Sequence, residues 1–145
     1  MIASTIFKDM FGTAAMRDVF DDAATLRRYT DTEIALAKVQ GELGVIPKAA
    51  AAAIMSKADS SKLDLVELKR ETEIVGYPIL PLVRQISKMC GPEGEYLHWG
   101  ATTQDIMDTA TVLQIRDGLV IIERDLDELD AILDALSLQY RDAPM

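Results

Sequence analysis

Apolar residues recur along this chain at spacings of three and four, with no stretch alternating apolar and polar positions, so the pattern predicts an all-α chain. Thr30 and Glu33 read as a capping box: the hydroxyl accepts from the third helical amide and the carboxylate reaches back to the cap N–H. Leu36, Val39, Gln40 and Leu43 continue that helix, and Gly44 suits its left-handed stop. Pro47 fits the first position of an Ala-rich helix ending near Lys57, since its missing N–H would have had no partner there. Ser60 and Ser61 offer caps for a helix over 63–75, with Leu65, Leu68, Thr72 and Val75 at helical spacing, and Gly76 and Pro78 end it. Residues 78–90 give another helix with Leu82, Ile86 and Met89 on one face, closed by a turn at Gly91-Pro92-Glu93-Gly94.

The last segment differs in kind. From about 104 to 140 there is no proline and the sole glycine is Gly118, which predicts one helix of about 37 residues, roughly 55 Å long. Leu119, Ile122, Leu126, Leu129, Leu133 and Leu136 alternate spacings of three and four, a heptad seam that expects nearly parallel or antiparallel partner helices. Val120, Ile121, Ile132 and Leu138 widen the apolar surface beyond that of a two-stranded coiled coil. The chain has too few other long helices to cover this surface. The expectation is therefore an N-terminal helical domain at 1–103, followed at 104–145 by the first long helix of a multi-chain bundle, in a chain that forms the N-terminal part of a larger protein.

Composition narrows the partners. The 145 residues are 49% hydrophobic and 27% charged, as in ordinary globular proteins. A net charge of −9 offers no basic stripe for nucleic acid. The most apolar later stretch, 74–83, contains Gly76, Pro78 and Pro81 and is far short of the ~20 residues a membrane span needs. Residues 1–16 do not read as a signal peptide, because Lys8 and Asp9 interrupt them early. Cys90 is the only cysteine, so no intrachain disulfide forms and a cytoplasmic location is expected.

Candidate chemistry concentrates at His98-Trp99-Gly100-Ala101-Thr102-Thr103-Gln104-Asp105, where a Gly-containing loop meets the start of the long helix. Free N–H groups and the positive end of the helix dipole favour an anion there, and Thr102, Thr103 and Gln104 add donors for a carboxylate. The plainer alternative is that Thr103 caps the helix while Asp105 and Asp108 complement its dipole. His98 is the only histidine, which rules out a multi-histidine metal site and leaves one imidazole beside the helix start. Cys90 reads as a core residue, and the acidic runs Asp21-Asp22 and 123–130 as solvated helix faces.

The run from His98 to Ala110 resembles the first signature region of the fumarase/aspartase superfamily. Within it the chain looks most like the 3-carboxy-cis,cis-muconate cycloisomerases, with Thr103 where they carry serine, a change that keeps the hydroxyl. The likeness extends to Phe11-Gly12-Thr13-Ala14-Ala15-Met16-Arg17, Glu42-Leu43-Gly44-Val45-Ile46-Pro47, Leu80-Pro81-Leu82-Val83 and Leu113-Gln114-Ile115-Arg116-Asp117. The resemblance implies a homotetramer with a central helical bundle and active sites drawn from three chains. It also implies no metal or organic cofactor, and a serine base and histidine acid supplied by segments beyond this sequence. Carried over by position, Thr102 and Thr103 hold a substrate carboxylate, His98 and Gln104 assist, and Arg17 lies near the site. The implied substrate is a small polycarboxylic acid.

Two alternatives stay open at this stage. Adenylosuccinate lyase, or another C–N lyase of the superfamily, shares much of the pattern. Met10-Phe11 stands, however, where adenylosuccinate lyases carry Arg-Tyr, and Gly76-Tyr77-Pro78 where they carry Arg-His-Asp. From a different class, the chain could be a helical assembly module without chemistry, a reading that leaves the His98 to Asp105 run unexplained.

Overall fold

The computed structural model describes residue 4 and residues 6–144; the parts of the domain and leader expectations that fall on residues 1–3, 5 and 145 lie outside the described residues. Among the described residues there are six α-helices and no strand. They are α1 (Ala14–Val19), α2 (Asp22–Leu43), α3 (Lys48–Lys57), α4 (Leu65–Val75), α5 (Ile79–Cys90) and α6 (Thr103–Gln139), with short 3₁₀ segments at Ser60–Lys62 and Gly91–Tyr96.

Helix α2 begins nine residues earlier than its sequence signals suggest, with Asp21 and not Thr30 as its cap. The Asp21 carboxylate accepts from Ala24 N–H and starts the helix. Thr30 is therefore interior, and its hydroxyl donates back to the Leu26 carbonyl at 2.8 Å. Glu33 is not a capping residue: it points into the core with a fully buried side chain. The buried face runs through Leu26, Tyr29, Thr30, Glu33, Ala37 and Gly41, which leaves Val39 and Leu43 exposed. Gly44 makes the expected left-handed stop at φ 73°. The short α1, capped by Thr13, had no clear sequence signal.

Gly41 allows α3 to approach α2 closely, since a Cβ there would sit 2.4 Å from the Ala51 Cβ. Pro47 stands just before α3. Asp64, not Ser60 or Ser61, caps α4 by accepting from the Val66 and Glu67 amides, because a carboxylate one residue before the helix outcompetes hydroxyls held in a 3₁₀ turn. On α5, Ile79, Leu82 and Ile86 are at most 1% exposed and form the centre of the core with Ile54 and Ile106.

The first turns of α6 join this core. Ile106, Ala110, Gln114 and Gly118 recur every fourth residue and are the helix's buried positions. Arg28 ties α2 to α6 through an ion pair with Asp117, and Gln114 donates to the Val19 carbonyl at 2.8 Å. Beyond Gly118 no described residue of α6 is buried, so roughly 30 Å of helix extends free of the rest of the chain. Along that extension the six seam residues are each between 43% and 58% exposed.

Candidate functional site

The loop between Tyr96 and Thr103 is held by α2 and presents His98, Ala101, Thr102 and Thr103 to one cleft, while Trp99 and Gly100 line another. Gln40 donates its side-chain amide to the Trp99 carbonyl at 2.7 Å. Two turns earlier on the same face of α2, Glu33 Oε1 lies 2.6 Å from His98 Nδ1. Between these anchors His98 adopts φ 61°, the left-handed region, which a residue with a Cβ enters at a cost of about 1–3 kcal/mol. Gly100, at φ 68°, completes the reversal into α6.

The cleft, of about 170 Å³, is lined by Tyr77, Ile79, Leu80, Val83, His98, Ala101, Thr102 and Thr103. The helix start here is Thr102, one residue before the expected cap at Thr103: the Asp105 carboxylate accepts from Thr102 N–H at 2.9 Å, and Thr103 is the first helical residue. By helix geometry the N–H groups of Thr103 and Gln104 have no acceptor within α6. The hydroxyls of Thr102 and Thr103 and the His98 imidazole thus share one recess with the apolar side chains of Ile79, Leu80, Val83 and Ala101. No lysine or arginine lines it, so among its lining residues His98 is the one able to carry a positive charge.

Electrostatics at the back of the site centre on Glu33. Burial pushes its carboxyl above the ordinary carboxylate range, and the His98 imidazole pulls it partly back. Its second oxygen, Oε2, is buried without a hydrogen-bond partner.

The structure brings His98, Thr102 and Thr103 together but places the other two sequence candidates differently. Gln104 is exposed and donates to the Asp108 carboxylate. Arg17 bonds the Lys8 and Gly12 carbonyls at 2.7 and 3.0 Å and pairs with Asp9, beside α1. Its helix packs near Gly118, about 22 Å along α6 from Thr103 at 1.5 Å per residue, so Arg17 does not reach the cleft of its own chain. Glu33, Gln40 and Tyr77 are site residues that sequence reasoning missed. A signal existed for Glu33: it sits four residues after Tyr29 and four before Ala37, where an apolar residue belongs. Tyr77 carried no such pattern.

Comparison with known proteins gives a consistent picture. No family model matches the chain. It is 45% identical over 138 residues to trans-aconitate decarboxylase 1 of Mycosarcoma maydis, covering 94% of this chain and 28% of that protein. Over 115 residues it is 45% identical to N-acetyl-S-(2-succino)cysteine lyase of Dickeya dadantii, covering 79% and 25%. Over 148 residues it is 37% identical to 3-carboxy-cis,cis-muconate cycloisomerase of Pseudomonas putida, covering 99% and 35%. A fumarate lyase structure from Mesorhizobium sp. BNC1 superposes with a TM-score of 0.87 at 53% identity, covering 90% of this chain and 31% of that one. The chain therefore spans about a third or less of the length of each of these proteins.

Proposed function

Because the chain belongs to the fumarase/aspartase superfamily, we propose that it forms the N-terminal part of a 3-carboxy-cis,cis-muconate cycloisomerase-like enzyme acting by proton transfer beside a carboxylate of a small polycarboxylic acid. The observation that carries this reading is the convergence of His98, Thr102 and Thr103 on one cleft at the start of α6. Moving a proton to or from the carbon beside a carboxylate passes through a form in which that carboxylate bears a second negative charge. Donors already aimed at it, in a recess with apolar walls, stabilise that form more than the substrate. The names of the three relatives each carry a small polycarboxylic unit, aconitate, a succino group and carboxymuconate, which supports a substrate of that class.

The cleft needs help from outside the chain. With one imidazole and no Lys or Arg, it is short of cations for a polycarboxylate. The bare seam of α6 supports association into a homo-oligomer, a tetramer by family resemblance, in which other chains complete the site. The base and acid belong to those completing segments, and no cofactor is needed for the proton transfer. With Cys90 as its only cysteine the chain makes no intrachain disulfide, which supports a cytoplasmic setting.

A second reading, elimination from a succinate-bearing thioether or amine, is favoured by the likeness to the succinocysteine lyase and uses the same cradle. Adenylosuccinate fits less well, because Met10, Phe11, Gly76, Tyr77 and Pro78 offer a nucleotide phosphate no cationic side chain. A purely structural module gives no account of the buried Glu33 behind His98. The test is to offer the assembled enzyme 3-carboxy-cis,cis-muconate and adenylosuccinate in parallel. Lactonisation destroys the diene's conjugation, so turnover appears as loss of ultraviolet absorbance. Turnover of adenylosuccinate with none of the muconate overturns the proposal.

A further inference from the structure

Glu33 is an expensive residue for a helix core. Its side chain has no exposure, one oxygen has no partner, and an apolar residue of similar size would fill the space without desolvating a carboxylate. Nothing in the packing of α2 calls for a charge. What the carboxylate does have is contact with one residue, 2.6 Å to Nδ1 of His98, which is held in the left-handed conformation at the lip of the cleft.

We propose that Glu33 is a positioning residue for His98: its carboxylate accepts the Nδ1–H of the imidazole, which leaves Nε2 as the ring nitrogen presented to the cleft alongside Thr102 and Thr103. Two points on the ring and backbone are then fixed from one face of α2, the ring by Glu33 and the following carbonyl by Gln40. A histidine's free nitrogen is defined by the hydrogen bond the other one makes. With Nδ1 committed, Nε2 takes up and gives back the proton, and an approaching anion meets Nε2–H, with Glu33 balancing the imidazolium from behind. This gives the cleft one cationic donor of its own, and the further positive charge a polycarboxylate needs comes from outside the chain. The use of Nε2 toward a carboxylate rests on the functional reading above; the pairing itself does not.

His98 is the chain's only histidine, so labelling histidine with nitrogen-15 reports on this one ring. Nuclear magnetic resonance of the 145-residue chain through a pH titration shows which nitrogen loses its proton. The expected result is that Nδ1 stays protonated throughout and Nε2 titrates. In Glu33→Met, which fills the volume without an acceptor, the ordinary preference for a proton on Nε2 returns in the neutral ring. If Nε2 holds the proton in the wild-type neutral ring, with Nδ1 bare, Glu33 is a carboxylic acid donating to His98 and the proposal is overturned. That wild-type result stands even if Glu33→Met does not fold; a folded Glu33→Met that keeps Nδ1–H also overturns it. A protonated Nδ1 in a protein whose assembled enzyme is indifferent to Thr103→Val leaves the positioning role standing and removes the carboxylate reading, so the two fail separately.

Discussion

Glu33 on α2 and His98 before α6 stand 65 residues apart in sequence and 2.6 Å apart in space. Burial, the dominant influence, lifts the Glu33 carboxyl above its ordinary value near 4.5, with the imidazole opposing. A raised pKa means that the folded chain holds this proton after the unfolded chain has released it. The resulting stability is complete below about pH 4.5 and is lost as pH rises through the folded value. Glu33→Gln removes the titration, so the stability of wild type relative to the variant should decline as pH rises from 4.5, by about 1.4 kcal/mol for each unit of elevation. Urea unfolding at a series of pH values measures this. A difference that is flat, or grows in favour of wild type, contradicts it.

Association should run through α6. Leu126 is 58% exposed in the middle of a six-residue seam that packs against nothing in its own chain. Leu126→Asp forfeits about 1.5–3 kcal/mol of apolar burial per subunit, enough to weaken association tenfold or more. Light scattering of the chain at rising concentration should show oligomers for wild type and a shift toward monomer for the variant. A wild-type monomer at high concentration contradicts the seam as an interface.

The 145-residue chain by itself should turn over neither 3-carboxy-cis,cis-muconate nor adenylosuccinate. Among the residues lining the cleft only His98 and Tyr77 carry ionisable side chains, and the resemblance assigns the base and acid to segments outside this sequence. Turnover by the purified chain above the uncatalysed rate would show that this cleft carries its own catalytic groups.

Gly41 should tolerate no side chain. Gly41→Ala places a methyl 2.4 Å from the Ala51 Cβ and forces α2 and α3 apart, a change of the overpacking kind that costs about 1–3 kcal/mol. Thermal unfolding should show a lower Tm; an unchanged Tm would mean that α3 moves freely on α2.

Much of the fold is legible in the sequence because local signals and tertiary packing agree. The proline-free run gave α6 to within a residue at each end, Gly44 stops its helix in the left-handed conformation the sequence suggests, and α4 ends at Gly76 as expected. The misreadings share one cause. Thr30 and Glu33 have the spacing of a capping box, yet the contacts that decide their roles are with Leu26 and with His98, the latter 65 residues away. Local spacing cannot distinguish a carboxylate that returns to its own backbone from one aimed across the core. Ser60 and Ser61 likewise lost to Asp64 through a 3₁₀ turn with no clear sequence signal. The cluster His98, Thr102 and Thr103 was legible because it is contiguous, whereas Tyr77, Glu33 and Gln40 reach it only through the fold.

The central claim is that the start of α6 holds a substrate carboxylate, and Thr103→Val tests it most directly. Thr102 is also the helix cap, so replacing it mixes lost binding with lost helix stability, whereas Thr103 is the first helical residue and valine keeps its shape. A charge-assisted hydrogen bond is worth roughly 1.5–3 kcal/mol. Measured on 3-carboxy-cis,cis-muconate with the assembled enzyme, Thr103→Val should lower kcat/KM by about tenfold to a hundredfold with Tm unchanged. A kcat/KM equal to wild type in a normally folded variant would contradict the claim and return Thr103 to a residue that only begins a helix.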